Sequence, residues 1–388
     1  MKPRTLINHP PDTAPPEGNR AVIAPIYQTV KFEFDTVSRA LEAFRGERPG
    51  YFYMRSSNPT TRQLELTLAQ LQGRDDCLAT ASGVNAVAQT LLALTKQGDH
   101  VVFFIETYGP TRSIIRKLLA RFGVTHTMLS IEDLDGLAQV LAAKPTRLVL
   151  FESPTNPMLK IADVERITSL AHQHGALAVM DNTFAGFHQH GEYAVDVFIH
   201  SLTKYASGAG DVMGGAAIAR QDLIKAMRAE FELLGALLDP HAAFLLQRSL
   251  KTYFIRYHEQ CKTASAVATW LEQHPAVAEV RYPGLASHPQ AALAARQMRD
   301  MGTVVTFRLR AGNEAGARFT EALQLFAMAA SLGSSESLIL PPQMLSGKDL
   351  TAQELAISGL APGTVRLSIG LEDIEDLTDD LAQALSKI

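Results

Sequence analysis

The chain reads as an α/β protein: a large, mainly parallel sheet covered by helices on both faces, followed by a smaller α+β portion. Two observations carry this. From Thr60 onward, short apolar runs of strand length alternate with segments of helical apolar spacing, and parallel strands need crossover helices of that kind. Residues 242–274 contain neither Pro nor Gly, which is long enough for one extended helix joining two domains. The expected division is an N-terminal arm over 1–59, an α/β domain over 60–245 and an α+β domain over 246–388.

Taken in order, the first sixty residues are rich in Pro, Gly and polar residues, with short extended pieces such as 26–34. They cannot build a core and read as an arm that needs a surface. A helix-period stretch then ends near Gly73, followed by a strand at 77–81, a helix at 84–96 and a strand at 101–105. Strands follow at 148–151, 176–180 and 197–200, reached through helical spacing such as Val164, Ile167 and Ala171. Beyond the long helix come strands at 277–282 and 303–309, a helix near 315–325, a strand at 364–369 and a last helix from Asp376. The acidic run Glu372, Asp373, Glu375 and Asp376 suits the N-terminus of that helix better than a metal.

At 388 residues, with about 150 residues per domain, two to three domains are expected. Apolar residues at 46% and charged residues at 20% are ordinary for a globular chain, and a net charge of -4 does not call for nucleic acid. Cys77 and Cys261 lie far apart, without CxxC spacing or a paired histidine, and read as reduced thiols. The first twenty residues lack a secretion-signal core, and no run approaches the ~18 apolar residues of a membrane span. A soluble, cytoplasmic protein is expected.

The most informative segment is Ser201-Leu202-Thr203-Lys204, after an apolar strand and before Gly208, Gly210, Gly214 and Gly215. An amine at a strand end beside two hydroxyls suits a Schiff base with pyridoxal 5′-phosphate, the hydroxyls holding the phosphate; the alternative is a surface lysine. Asp181 closes another apolar strand, where open α/β sheets bind ligands. Such a carboxylate can keep the cofactor's ring nitrogen protonated, although a helix cap or turn uses the same residue type. Ser82-Gly83-Val84-Asn85 joins a strand to a helix, so free backbone N–H groups there could take a phosphate or be a plain N-cap. Nucleotide-binding patterns are absent: no GxxxxGK[ST] occurs, and no GxGxxG opens the first strand–helix unit. Tyr108 could stack on a pyridine ring and exchange a proton with a leaving group, or be a half-buried turn aromatic. Arg366 could hold a substrate carboxylate, or be an exposed strand arginine. His172, His174, His188 and His190 have no accompanying ligand cluster in the sequence, so no metal is expected.

Further stretches stand in a recognisable order: Pro25-Ile26-Tyr27-Gln28-Thr29, Tyr53-Met54-Arg55 leading into Asn58-Pro59-Thr60, Ala81-Ser82-Gly83, Thr107-Tyr108-Gly109 and Glu152-Ser153-Pro154-Thr155-Asn156-Pro157. Asp181-Asn182-Thr183, Ser201-Leu202-Thr203-Lys204-Tyr205, Tyr282-Pro283-Gly284-Leu285, Ser331-Leu332-Gly333 and Val365-Arg366-Leu367-Ser368-Ile369-Gly370-Leu371-Glu372 continue it. Over nearly its whole length the chain resembles the Cys/Met-metabolism family of pyridoxal-phosphate enzymes, which includes cystathionine γ-synthases, cystathionine β- and γ-lyases and methionine γ-lyases. The resemblance implies the aspartate aminotransferase type I fold. It further implies that Lys204 carries the cofactor and moves protons, that Asp181 pairs the ring nitrogen and that Tyr108 stacks on the ring. Ser82, Gly83, Val84, Ser201 and Thr203 would hold the phosphate. Tyr53 and Arg55 would complete the phosphate site of a neighbouring subunit. Asn156 would contact the ring hydroxyl and the substrate carboxylate, and Arg366, helped by Ser331, would anchor that carboxylate. A homotetramer built from two dimers is implied as well.

The scaffold permits β-elimination, γ-elimination and γ-replacement, and the side-chain pocket decides among them. Ala330 stands where several γ-acting relatives carry glutamate, Pro110 where methionine γ-lyases carry cysteine, and residues 336–342 lack a His-containing segment of many γ-acting members. Leu332 and the Asn58-Pro59-Thr60 context lie nearer the γ-lyase branch. The balance is a carbon–sulfur lyase acting on cystathionine or a related thioether amino acid, with β-elimination slightly ahead. The alternative is γ-replacement on an acyl-homoserine. A non-catalytic binding protein is disfavoured, because Lys204, Asp181, Tyr108 and Arg366 are all present.

Overall fold

The computed structural model describes Thr5, residues 16–345 and residues 347–388. Seven strands form the first sheet: β1 Asp76–Thr80, β2 His100–Phe104, β3 Thr125–Leu129, β4 Leu148–Glu152, β5 Leu177–Asp181, β6 Val197–Ser201 and β7 Gly215–Ala219. Their order is β1-β7-β6-β5-β4-β2-β3, with β2 to β6 parallel and β7 antiparallel to both β1 and β6. Alternate residues face opposite sides of a strand. Val102 and Phe104 accordingly pack under the helices Pro59–Gln72 and Val164–Gln173, while Val101 and Phe103 pack under Gly83–Leu94 and Gln221–Leu234. Two buried layers result, which is why the central strands read as continuous apolar runs.

Two strands of this sheet were not foreshadowed by apolar runs. β3 is an edge strand whose residues are exposed or half-buried, so its Thr-His-Thr-Met-Leu carries little apolar signal. β7 is Gly-Ala-Ala-Ile-Ala, fully buried, and small side chains do not announce a strand. Smallness is required there, because a Cβ on Gly215 would lie 2.1 Å from the Ser82 carbonyl oxygen.

The second sheet holds β8 Val277–Arg281, β9 Val304–Leu309, β10 Ala327–Met328, β11 Leu338–Leu340 and β12 Thr364–Ser368, in the order β10-β11-β12-β9-β8. It is antiparallel apart from the short β10–β11 pair. Val267, Leu271, Phe307, Phe319, Leu377 and Leu381 form its core against the helices Tyr253–Glu272, Gly312–Ala322 and Ile374–Leu385. The expected single helix over 242–274 is two, Pro240–Leu250 and Tyr253–Glu272. Thr252 leaves the helical conformation with φ -112° and ψ 8°, and Arg256 spans the break by donating to the Ser249 carbonyl and the Thr252 hydroxyl. No Pro or Gly marks such a bend, so periodicity alone runs through it.

The described part of the arm makes one short bridge, Lys31 to Tyr53. It exposes Val22, Ile23, Val30, Phe44 and Phe52. Between the sheets, Tyr205 and Thr303 share a 2.9 Å hydroxyl hydrogen bond, and Thr306 donates to the Pro157 carbonyl at 2.6 Å. Among the described residues no helix is long and apolar enough to cross a membrane.

Candidate active site

The carboxyl ends of β4, β5 and β6 open into a cavity of about 790 Å³ that also receives the start of the helix Gly83–Leu94 and residues from the second sheet. This is where an open α/β sheet binds its ligand. The structure brings Ser82, Gly83, Val84, Tyr108, Asn156, Asp181, Ser201, Thr203, Lys204, Ser331 and Arg366 to this one space. Tyr53 and Arg55 do not line it; the Arg55 guanidinium lies 5.5 Å from the exposed Tyr53 ring centre.

The helix Gly83–Leu94 is N-capped by Ser82, whose hydroxyl accepts from the Asn85 N–H at 3.2 Å. The first-turn N–H groups have no partner within the helix and carry the positive end of its dipole, which suits a phosphate. Ser201 and Thr203 stand opposite, with Thr203 Oγ1 accepting from the Gly214 N–H at 3.1 Å. A Cβ on Gly83 would come within 2.7 Å of Ser201 Cβ, so this approach tolerates only glycine. Gly83→Ala is expected to weaken cofactor binding by roughly tenfold, an overpacking cost of about 1–3 kcal/mol. Titration of the cofactor-free protein with pyridoxal phosphate checks this, and unchanged affinity would contradict the close-approach argument.

Lys204 Nζ donates to Ser331 Oγ at 3.1 Å. Burial, then the charge of Arg366, lowers the lysine pKa and favours the free amine that attacks an aldehyde. Asp181 is partly buried at the cavity wall, and desolvation raises its pKa. Its Oδ1 accepts from the Thr183 N–H at 3.1 Å, while Thr183 Oγ1 accepts from the Ser201 N–H at 2.9 Å, so one threonine fixes the ends of β5 and β6. A carboxylate so enclosed gains from a cationic partner, and a protonated ring nitrogen is such a group.

Arg366 is buried. Its Nη1 donates to Asn156 Oδ1 at 2.9 Å and its Nη2 to the Ser331 carbonyl at 2.7 Å, while the buried Nε has no partner among the described residues. Burial lowers its pKa to about 10. An arginine with an unspent donor at the cavity wall fits a carboxylate ligand.

Two site residues carried no assigned role in the sequence reading. Glu152 ends β4 in register with Asp181; its two oxygens accept from the Asn156 N–H at 2.8 Å and the Tyr108 N–H at 3.0 Å. It thus fixes both loops that carry ligand-facing side chains. The available signal was a carboxylate at the end of an apolar strand neighbouring that of Asp181. Burial, then Asp181, raises Glu152 from 4.5 to about 8. Because the folded-state pKa is raised, the associated stability is full below about 4.5 and is lost as pH rises through about 8. The melting temperature of cofactor-free Glu152→Gln is therefore expected to gain on that of the cofactor-free parent as pH rises across this window. A pH-independent difference would refute the shift. The second is Arg112, which grips Asp349 through Nε at 2.8 Å and Nη2 at 2.6 Å and also donates to the Ile105 and Thr107 carbonyls. Asp349 comes from 237 residues away, a separation that no local pattern reveals.

An amine, an enclosed carboxylate and an anion-binding turn converging on one space suit pyridoxal phosphate, and the architecture is that of the aspartate aminotransferase type I class of enzymes using it. More narrowly, the chain belongs to the Cys/Met metabolism PLP-dependent enzymes, whose sequence profile matches residues 5–386. It is 40% identical over 375 residues to an L-methionine γ-lyase of Pseudomonas putida, covering 96% of this chain and 94% of that one. A solved cystathionine γ-synthase of Xanthomonas oryzae pv. oryzae, in complex with aminoacrylate and cysteine, superposes with a TM-score of 0.89. It is 36% identical, with 95% of this chain and 93% of that chain covered. A Campylobacter jejuni structure assigned to an O-acetylhomoserine (thiol)-lyase, with N′-pyridoxyl-lysine-5′-monophosphate, also gives 0.89 at 33% identity, covering 95% of this chain and 96% of that one.

Proposed function

We propose that this chain is a carbon–sulfur lyase that expels a thiol from a thioether amino acid, with γ-elimination from a methionine-like substrate as its principal reaction. The observation that carries the proposal is the placement of Lys204 Nζ 3.1 Å from Ser331 Oγ, beside Arg366 with its unpartnered Nε. Met213, Leu340, Met344 and Leu345 line the same cavity and offer an apolar wall to an alkyl thioether.

In this reading Ser82, Gly83, Val84, Ser201 and Thr203 hold the cofactor phosphate, Asp181 the ring nitrogen, Tyr108 the ring face and Asn156 the ring hydroxyl. Bound at Lys204, pyridoxal phosphate supplies the electron sink that makes carbanion chemistry accessible at the substrate. Arg366 and Ser331 hold the substrate carboxylate and so fix the α-carbon beside Lys204 Nζ, which removes its proton. Tyr108 is half-exposed, and burial raises its hydroxyl pKa; it keeps a proton to give to the departing thiolate. Tyr53 and Arg55 complete the phosphate site of a neighbouring subunit within a homotetramer, which would cover the apolar surface of the arm. Buried, unpaired Cys77 and Cys261 fit a reducing, cytoplasmic setting.

The likeness to a methionine γ-lyase, with Leu332, outweighs Pro110, which departs from the methionine γ-lyases, and Ala330 and the 336–342 segment, which favour β-elimination from cystathionine. A second reading, γ-replacement on an acyl-homoserine, is supported by the likeness to the Xanthomonas synthase. Product analysis separates them. Methionine should yield methanethiol and 2-oxobutyrate. Pyruvate and homocysteine from cystathionine, with methionine inert, would replace the proposal by β-elimination. A thioether formed from acyl-homoserine and cysteine in preference to 2-oxobutyrate would replace it by the synthase reaction.

A further inference from the structure

Away from the cavity, the structure assembles one group of metal-competent side chains among the described residues: His188, His258 and Asp300, whose ligand atoms all lie within 4.8 Å of one another. Chain order conceals it, since 112 residues separate His188 from Asp300. His188 follows β5, His258 lies on the helix Tyr253–Glu272, and Asp300 precedes β9. We propose that His188 Nε2, His258 Nε2 and an Asp300 carboxylate oxygen form a structural site for a borderline divalent cation, zinc foremost, that pins the segment after β5 to the entrance of β9.

The geometry is close to that of an assembled site. Asp300 Oδ2 lies 2.9 Å from His188 Nε2 and 3.3 Å from His258 Nε2. Ligand atoms about 2.0–2.1 Å from a tetrahedral zinc are roughly 3.3 Å apart, so little movement is needed. His188 is oriented from behind: its Nδ1 shares a 2.9 Å hydrogen bond with the Tyr253 hydroxyl, leaving Nε2 for the metal, the outer-shell arrangement typical of ligating histidines. The Tyr253 and Tyr257 rings meet the imidazole edge-on. Asp300 is fixed through its backbone. Gln189 accepts from the Arg299 N–H at 3.0 Å and donates to the Asp300 carbonyl at 3.0 Å.

Charge and access agree with this. Arg299, the cation adjoining Asp300 in sequence, reaches Glu192 at 3.8 Å. His258 is the exposed member and leaves an entry path and a fourth position for water. Two imidazoles and one carboxylate suit zinc better than calcium or magnesium, which prefer all-oxygen shells. Without a cation, the carboxylate accepts from the imidazole N–H groups; with zinc bound, each neutral ring ligates through an unprotonated Nε2 and keeps its single proton on Nδ1, which for His188 faces the Tyr253 hydroxyl.

The test uses untagged, chelator-stripped holoenzyme dialysed against zinc chloride. The expected result is one zinc per chain, a raised melting temperature, and dissociation constants at least about tenfold higher in His258→Ala and Asp300→Asn. His172→Ala, at the unrelated His172–Asp196 pair, should bind as the parent does. His258 is exposed, so its replacement leaves the fold intact. Absence of stoichiometric zinc in the parent, or zinc retained undiminished in both site variants, would overturn the site and leave only a hydrogen-bonded cluster. Neither result touches the assignment of the lyase reaction, which product analysis reads separately.

Discussion

Replacement of Lys204 by alanine is expected to lower kcat at least about 10³-fold. A positioned general base alone contributes ~10²–10⁴, and the same amine is the nucleophile that would hold the cofactor. Its 3.1 Å contact with Ser331 Oγ places that amine beside the proposed carboxylate anchors. The variant should lose the visible absorption of the protein-bound cofactor on desalting, and borohydride should label position 204 in the parent but no residue in the variant. Turnover within tenfold of the parent would remove Lys204 from the proposed mechanism.

Arg366→Leu is the second large effect expected. It removes a buried guanidinium, whose charge-assisted hydrogen bonds contribute about 1.5–3 kcal/mol each. Two such bonds to a substrate carboxylate correspond to ~10²-fold or more in kcat/KM, appearing chiefly in KM because the same bonds exist before and during the reaction. Arg366→Lys should recover little, since a point charge cannot reproduce the planar fork that now spans Asn156 and the Ser331 carbonyl. Cofactor affinity is the control for misfolding and should fall far less than kcat/KM, since Arg366 reaches the proposed cofactor contacts only through Asn156. A parental KM in the leucine variant would show that the carboxylate is held elsewhere.

The central strands β2, β4 and β6 were legible as strands because they are buried almost throughout and built mainly of apolar residues. Gly73, in the left-handed conformation with φ 69°, ends the preceding helix where the glycine suggested. Edge exposure hid β3, and the need for small side chains against Ser82 hid β7. The break at Thr252 rests on Arg256, a contact that helical periodicity does not register. At the site, Lys204, Asp181 and Ser82 were singled out by residue type and by their place at or just after strand ends, and Arg366 by its type within a strand; the structure brings all four to one cavity. Glu152 and Arg112 escaped because their partners are backbone groups and a distant aspartate, which are tertiary facts. The His188–His258–Asp300 group escaped for the same reason.

The ties between the two sheets, Tyr205 to Thr303 and Thr306 to Pro157, have a consequence for how such a scaffold can diversify. The groups facing the reagent stand on one sheet, whereas Ser331, Arg366 and Asp349 reach it from the chain of the other. The cavity wall can consequently be reshaped from residue 330 onward, as well as at Pro110 and Met213, while the strand-end groups of the first sheet stay in place, a division of labour that would let one framework accept different sulfur fragments.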